Sequence, residues 1–187
     1  MKISVTIAIV LLCGFVSGVL LIAYLSNPYL PVLVVGGEDS VGTWMSGALL
    51  TFMAALSLFI SMTQRWYPWL IFAAFFMLLT LDEHFMFHEQ IKERIIFSFH
   101  LDVSQRLIYE LPVMVGACLG GVMALLLWRH LPGRSRWLIP VVTALGATSV
   151  TIDVLGAGVF WEECCKLLAE LLMACGLLMK LEKTPEA

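Results

Sequence analysis

Residues 69–89 read WLIFAAFFMLLTLDEHFMFHE: an unbroken apolar run from Trp69 to Leu79, then, past Thr80 and Leu81, a cluster of acids and imidazoles. A helix rises about 1.5 Å per residue, and about 20 apolar residues cross a hydrocarbon core about 30 Å thick, so the stretch is long enough to span a membrane. Ionisable groups such as Asp82, Glu83 and His84 are costly in lipid and face a bundle interior or a water-filled cavity. The segment therefore predicts a membrane-spanning helix together with neighbours that shield its polar end.

The rest of the chain supplies those neighbours. Of its 187 residues, 60% are hydrophobic and 13% charged, with a mean hydropathy of +0.94, against about 45–50% and about 25% in soluble domains. A water-soluble domain is excluded. So is a nucleic-acid binder, since 11 Lys+Arg against 14 Asp+Glu leave no basic surface for phosphate backbones. The hydropathy pattern predicts an all-α, polytopic helical bundle in a single integral-membrane domain. Its six spans are about 3–25, 44–62, 69–89, 107–128, 137–155 and 160–179. The first follows a lysine as a signal peptide would, but its apolar run is too long and no A-x-A-like site follows, so it reads as a retained helix.

Placing the N-terminus inside puts Lys2, Arg65, Arg129, Arg134, Arg136, Lys180 and Lys183 on the cytoplasmic side. The outer side then holds Lys92, Arg94 and Arg106, with Lys166 near the outer end of the sixth span. By the positive-inside rule both termini are expected to be cytoplasmic, in a multi-pass protein of a bacterial inner membrane. Asn27-Pro28, Tyr67-Pro68, Leu131-Pro132-Gly133 and Gly156-Ala157-Gly158 supply turns at the span ends. The segment 91–105, IKERIIFSFHLDVSQ, sets Ile91, Ile95, Phe99 and Val103 four apart, the pattern of an amphipathic helix lying in the outer interface. The five cysteines show no C-x-x-C spacing and read as small apolar residues.

Counting depth along the spans brings the acids to one layer. Asp82 lies roughly 21 Å above Pro68 and Glu89 roughly 30 Å. Asp153 lies roughly 24 Å above Trp137, and Glu110, Glu162 and Glu163 reach about the same height from the outer ends of their helices. In one continuous helix His84 and His88, at i and i+4, share a face as two ligands of one metal would. His100 follows in the interfacial segment.

Carboxylates with imidazoles suit a divalent metal, zinc first and iron or manganese second. The candidate ligands are His84, His88, His100, Asp82, Glu83, Glu110, Asp153, Glu162 and Glu163, with Asp82, Glu89 or Glu110 as general base toward a metal-bound water. The expected function is that of a metal-dependent membrane enzyme acting on a lipid or other hydrophobic substrate. It would be an amide or ester hydrolase or, with two carboxylate-bridged metals, an oxidoreductase. The alternatives are a proton- or ion-coupled transporter with Asp82, Asp153, Lys166 and Glu170 as its relay, and a non-catalytic subunit whose acidic layer is structural. In the structural case Glu162, Lys166 and Glu170 form an i, i+4 ladder on one helix. Gly116, Ala117, Gly120 and Gly121 are expected to let the fourth span pack closely against a neighbour, within the chain or in a homo-oligomer.

Phe97-Ser98-Phe99-His100 followed by Tyr109-Glu110-Leu111-Pro112 resembles a motif pair of the alkaline-ceramidase-like (CREST) membrane hydrolases. That resemblance covers about 16 residues and implies a zinc held by three histidines beside an acid and a serine, cleaving lipid amides or esters. Carried over by position, it makes His100 a ligand and Glu110 the acidic partner. The chain departs from the family in its six spans rather than seven, in the offset of its serine, and in lacking a late H-x-x-x-H.

Overall fold

The computed structural model describes residues 2–26, 40–99, 110–156 and 158–182. They form seven helices and one isolated helical turn: α1 (Lys2–Ser26), α2 (Val41–Gln64), α3 (Pro68–Phe85), α4 (Phe87–Phe99), α5 (Leu111–His130), the turn Gly133–Arg136, α6 (Leu138–Leu155) and α7 (Val159–Glu182). The described chain is all-helical. Five of these helices (α1, α2, α3, α5 and α6) are long and apolar enough to cross a membrane. They also expose large apolar side chains on their outer faces, among them Leu11, Phe15, Met62, Leu78 and Leu125. A helix apolar on both its inner and outer face belongs in lipid.

Local chemistry sets the helix ends. Ser40 caps α2, its hydroxyl accepting from the Thr43 N–H at 3.2 Å. Pro68 opens α3, where its missing N–H costs nothing. Gly156, at φ 64°, closes α6 in the left-handed conformation that suits glycine.

The departure from the sequence expectation that matters most is at Met86. The third span was expected to continue to residue 89, but α3 stops at Phe85. Met86 adopts φ 49°, ψ 45°, and its N–H returns to the Asp82 carbonyl at 2.7 Å. The chain then starts again as α4. A non-glycine residue in this region carries a steric cost, and here it redirects the chain.

The α4 helix overlaps the expected interfacial segment only over 91–99, and residues 100–105 of that segment lie outside the described residues. Ile91 and Phe97 are exposed, whereas Lys92 is buried, because it is held by carboxylates on both sides.

The α7 helix lies at the centre, packing on α1, α2 and α6. Leu167, Leu171, Ala174, Leu177 and Leu178 on it are buried. One core cluster joins Met53, Trp69, Phe72, Phe76, Leu127 and Leu177 across α2, α3, α5 and α7. A second joins Val16, Met45, Leu49, Leu167 and Leu171 across α1, α2 and α7. The helix that carries the most charge within its length is thus also the one the bundle surrounds.

Candidate functional site: two lysines in an acidic layer above an apolar chamber

The break at Met86 creates the first element of the site. Asp82 stays on the last turn of α3 while His88 sits in the first turn of α4. The carboxylate spans the break, with Oδ1 accepting from the His88 N–H at 3.0 Å and Oδ2 lying 2.9 Å from His88 Nδ1. Asp82 thereby acts as the cap of a helix it does not belong to, where the N-terminal dipole favours its charge. The other ring nitrogen, Nε2, lies 3.4 Å from Glu89 Oε1.

The hydrogen bond to Asp82 raises the pKa of His88 above its ordinary 6.5, against the opposing effect of partial burial. A raised imidazole pKa contributes stability that is complete below pH 6.5 and is lost as pH rises through the higher, folded-state value. Both side chains are 34% exposed, so solvent screening holds the contribution to about 0.5–1 kcal/mol. The thermal midpoint of the wild type is therefore expected to fall on going from pH 6 to pH 9 relative to that of a His88→Asn variant. Superimposable pH profiles would show that the pair carries no such linkage.

The second element is Lys166 on α7. Its Nζ lies 2.8 Å from Glu83 Oε1 on α3 and 2.6 Å from Glu163 Oε1 on its own helix. The ladder Glu162–Lys166–Glu170 expected along α7 is not formed. Lys166 instead reaches across to α3, and Glu170 turns to α2, where Oε1 accepts from Ser46 Oγ at 2.7 Å. Glu170 Oε2 is shut off from solvent with no hydrogen-bond partner among the described residues.

The third element is Lys92, whose side chain is only 3% exposed. Its Nζ lies 2.9 Å from Glu89 Oε1 and 3.0 Å from Glu110 Oε2, tying α4 to the start of α5. Glu110 occupies the N-cap position of α5 but makes no capping bond there. Its carboxylate goes to the lysine. Asp153 is near enough to attract Lys92 and to repel Glu162.

Of the acids expected at one depth, Glu89 and Glu110 pair with Lys92 and Glu163 with Lys166, which also takes Glu83, while Asp82 goes to His88. Neither lysine was among the candidate metal ligands or general bases, and Lys166 figured only in the transporter relay. The signal was an acid three residues before each, Glu89 and Glu163, the spacing of a helical ion pair.

His84 and His88 do not share one helix face. His84 is on α3 and His88 on α4, so the single-helix premise for their sharing a face fails at Met86. The His84 ring lies 5.6 Å from that of Trp44 and covers Gly47, where an added Cβ would come within 2.6 Å of His84 Cε1. His100 and most of the stretch that resembles the ceramidase-like motif fall outside the described residues. Among the described residues no three His, Cys, Asp or Glu side chains form a group that could hold a metal ion.

Beneath the charged layer lies a chamber of about 370 Å³. Its floor and sides are apolar, with Phe75, Phe76 and Leu79 from α3, Met123 and Leu127 from α5, Val142 from α6 and Met173 from α7. Asp82, Glu83, Lys166 and Glu170 line it as well, gathering its charge at one end.

Within the chain, the small residues of α5 do not make the close packing against a neighbouring helix that was one expectation for them. Ala117, Gly120 and Gly121 line the chamber, and a Cβ built on Gly116, Gly120 or Gly121 meets nothing within 4 Å. The same holds for Gly146 on α6, which also lines it. Within this chain these residues leave space rather than bring backbones together.

No curated protein matches this chain, and no solved structure does. The model of a family described as a domain of unknown function (DUF8692) matches residues 4–181, nearly the whole chain, and the protein belongs to that family.

Proposed function

We propose that this is a membrane protein that takes a lipid-type molecule into the chamber and acts on its polar end. The observation that carries this reading is the polarity gradient of the chamber: mainly apolar along its length, with Asp82, Glu83, Lys166 and Glu170 lining it at one end. Its volume of about 370 Å³ falls in the usual range of small-molecule sites, about 300–1,000 Å³. Asp82 lines this end of the chamber and is held in place by His88 across the α3–α4 break.

In this reading α7 is a sixth span. Its 24 residues reach about 36 Å, and Glu163, Lys166 and Glu170 are turned to partners inside the bundle, as charges in a membrane must be. Both termini then lie on the cytoplasmic side and the charged layer in the outer third of the bilayer. Native mass spectrometry of protein released from lipid nanodiscs is expected to show a stoichiometric lipid-type adduct. A chain that emerges bare from every lipid mixture supplied would overturn the reading.

A second reading, metal-dependent chemistry at the same layer, is favoured by His88 alone, whose two ring nitrogens both face carboxylates. Carboxylate-held imidazoles are the common setting of metal-ligating histidines. Elemental analysis of the same preparation separates the two. Stoichiometric zinc, iron or manganese that disappears from an Asp82→Ala, His88→Ala variant supports the metal reading, and a metal-free protein that retains its lipid adduct removes it.

A further inference from the structure

The charged end of the chamber is short of positive charge and of hydrogen-bond donors. Lys166 is the one cation among the residues that line it, and its ammonium is already committed to Glu83 and Glu163. Asp82 is committed to His88. Glu170 has Ser46 on one oxygen and, among the described residues, no hydrogen-bond partner on the other.

A buried carboxylate oxygen without a donor is costly, and its best complement is a cationic N–H donor. The Glu170 side chain lines the chamber, and the terminal torsion of glutamate is soft, so its carboxylate can turn to meet a donor there.

The shape of the chamber narrows what can carry that donor. Its walls run from Phe75 to Glu83 on α3 and from Ala117 to Leu127 on α5, about 12–15 Å of helix. Spread over that length, about 370 Å³ makes an elongated space, suited to a chain-like ligand. Gly120, Gly121 and Gly146 keep it open.

We propose that the chamber takes a single-chain amphiphile with a primary ammonium head, the ammonium seated on the Glu170 carboxylate and the chain lying along the glycine-lined wall of α5 and α6. This assignment rests on the reading of the chamber as a ligand site. The head group is drawn to the layer by the acids that outnumber Lys166 there, and an anionic head is repelled by the same acids.

The test is equilibrium binding of dodecylamine, dodecanol and dodecanoate to the protein in phosphatidylcholine nanodiscs, with binding to empty nanodiscs subtracted. Dodecylamine is expected to bind saturably and about tenfold tighter than dodecanol, with dodecanoate the weakest. Glu170→Gln, which keeps the shape and an acceptor for Ser46, is expected to bring the amine down to the level of the alcohol. Dodecanol binding unchanged in that variant shows that its chamber is intact. Dodecanol or dodecanoate binding the wild type as tightly as the amine overturns the head-group assignment alone. Saturable binding of none of the three overturns the chamber reading with it.

Discussion

Replacing Lys166 by Met is expected to cost the folded protein about 3–5 kcal/mol, the penalty for removing one partner of a buried ion pair. The substitution preserves the apolar stem and removes only the ammonium. Glu83 and Glu163 are then left facing each other across α3 and α7 without the cation that lies 2.8 and 2.6 Å from them. Glu170, whose second oxygen has no hydrogen-bond partner among the described residues, loses a compensating charge as well.

Against a total stability of about 5–15 kcal/mol, a loss of that size lowers the thermal midpoint sharply and reduces the yield of monodisperse protein. Combining Lys166→Met with Glu83→Gln and Glu163→Gln is expected to recover most of the loss, because neutral amides no longer repel and can hydrogen-bond to each other. The comparison is a mutant cycle read by tryptophan fluorescence during thermal unfolding in detergent. A Lys166→Met protein within about 1 kcal/mol of the wild type would mean that the pair behaves like an exposed salt bridge, and that the layer has no structural core.

What could be read in advance divides along physical lines. The apolar run from Trp69 to Leu79 announced α3, and counting rise per residue brought Asp82, Glu110, Asp153 and Glu163 to one level, because depth depends only on position along a helix. Their partners depend on how each helix is rotated about its axis and on which neighbour it meets, and neither is written in local spacing. Hence Lys92 looked like an outer-loop residue and Lys166 a member of an α7 ladder, whereas each bridges two helices.

The break at Met86 was hidden for a related reason. Phe85-Met86-Phe87 carries no glycine or proline to mark it. What holds the chain in its turned conformation is the Asp82 carboxylate reaching His88 six residues on, a tertiary-like contact inside a short segment. With that break went the premise for a shared His84–His88 metal.

The glycines of α5 taught a similar lesson. A small residue permits close approach or leaves a vacancy, and only the distance to the neighbouring helix decides between them. The α5 helix packs chiefly against α6, so Gly120 and Gly121 face open space.

That vacancy gives the sharpest separation of stability from function. Gly120→Leu and Gly146→Leu are each expected to stabilise the protein while abolishing occupation of the chamber. Each glycine is inside a helix, where leucine is favoured by about 0.5–1 kcal/mol. A Cβ at either position meets nothing within 4 Å, so the added side chain enters the chamber rather than a packed wall. A leucine at either position takes up part of the chamber's width, and a ligand that must share the space loses about tenfold to hundredfold in affinity, the overpacking cost of about 1–3 kcal/mol.

Gly47→Ala makes the contrast. There the new Cβ would come within 2.6 Å of the His84 ring, so the imidazole must swing away from Trp44, and the propensity gain is offset. Thermal midpoints and native mass spectra of the three variants read both effects together. The chamber variants are expected to melt higher and fly without a lipid adduct, and Gly47→Ala to retain the adduct without gaining stability. Leucine variants that melt lower than the wild type yet keep their adduct would show that the gap between α5 and α6 closes in the membrane and that the ligand sits elsewhere. Higher melting with loss of the adduct has a simple physical cause: these glycines hold open a space that packing alone would fill, and the protein forgoes that stability for the occupant.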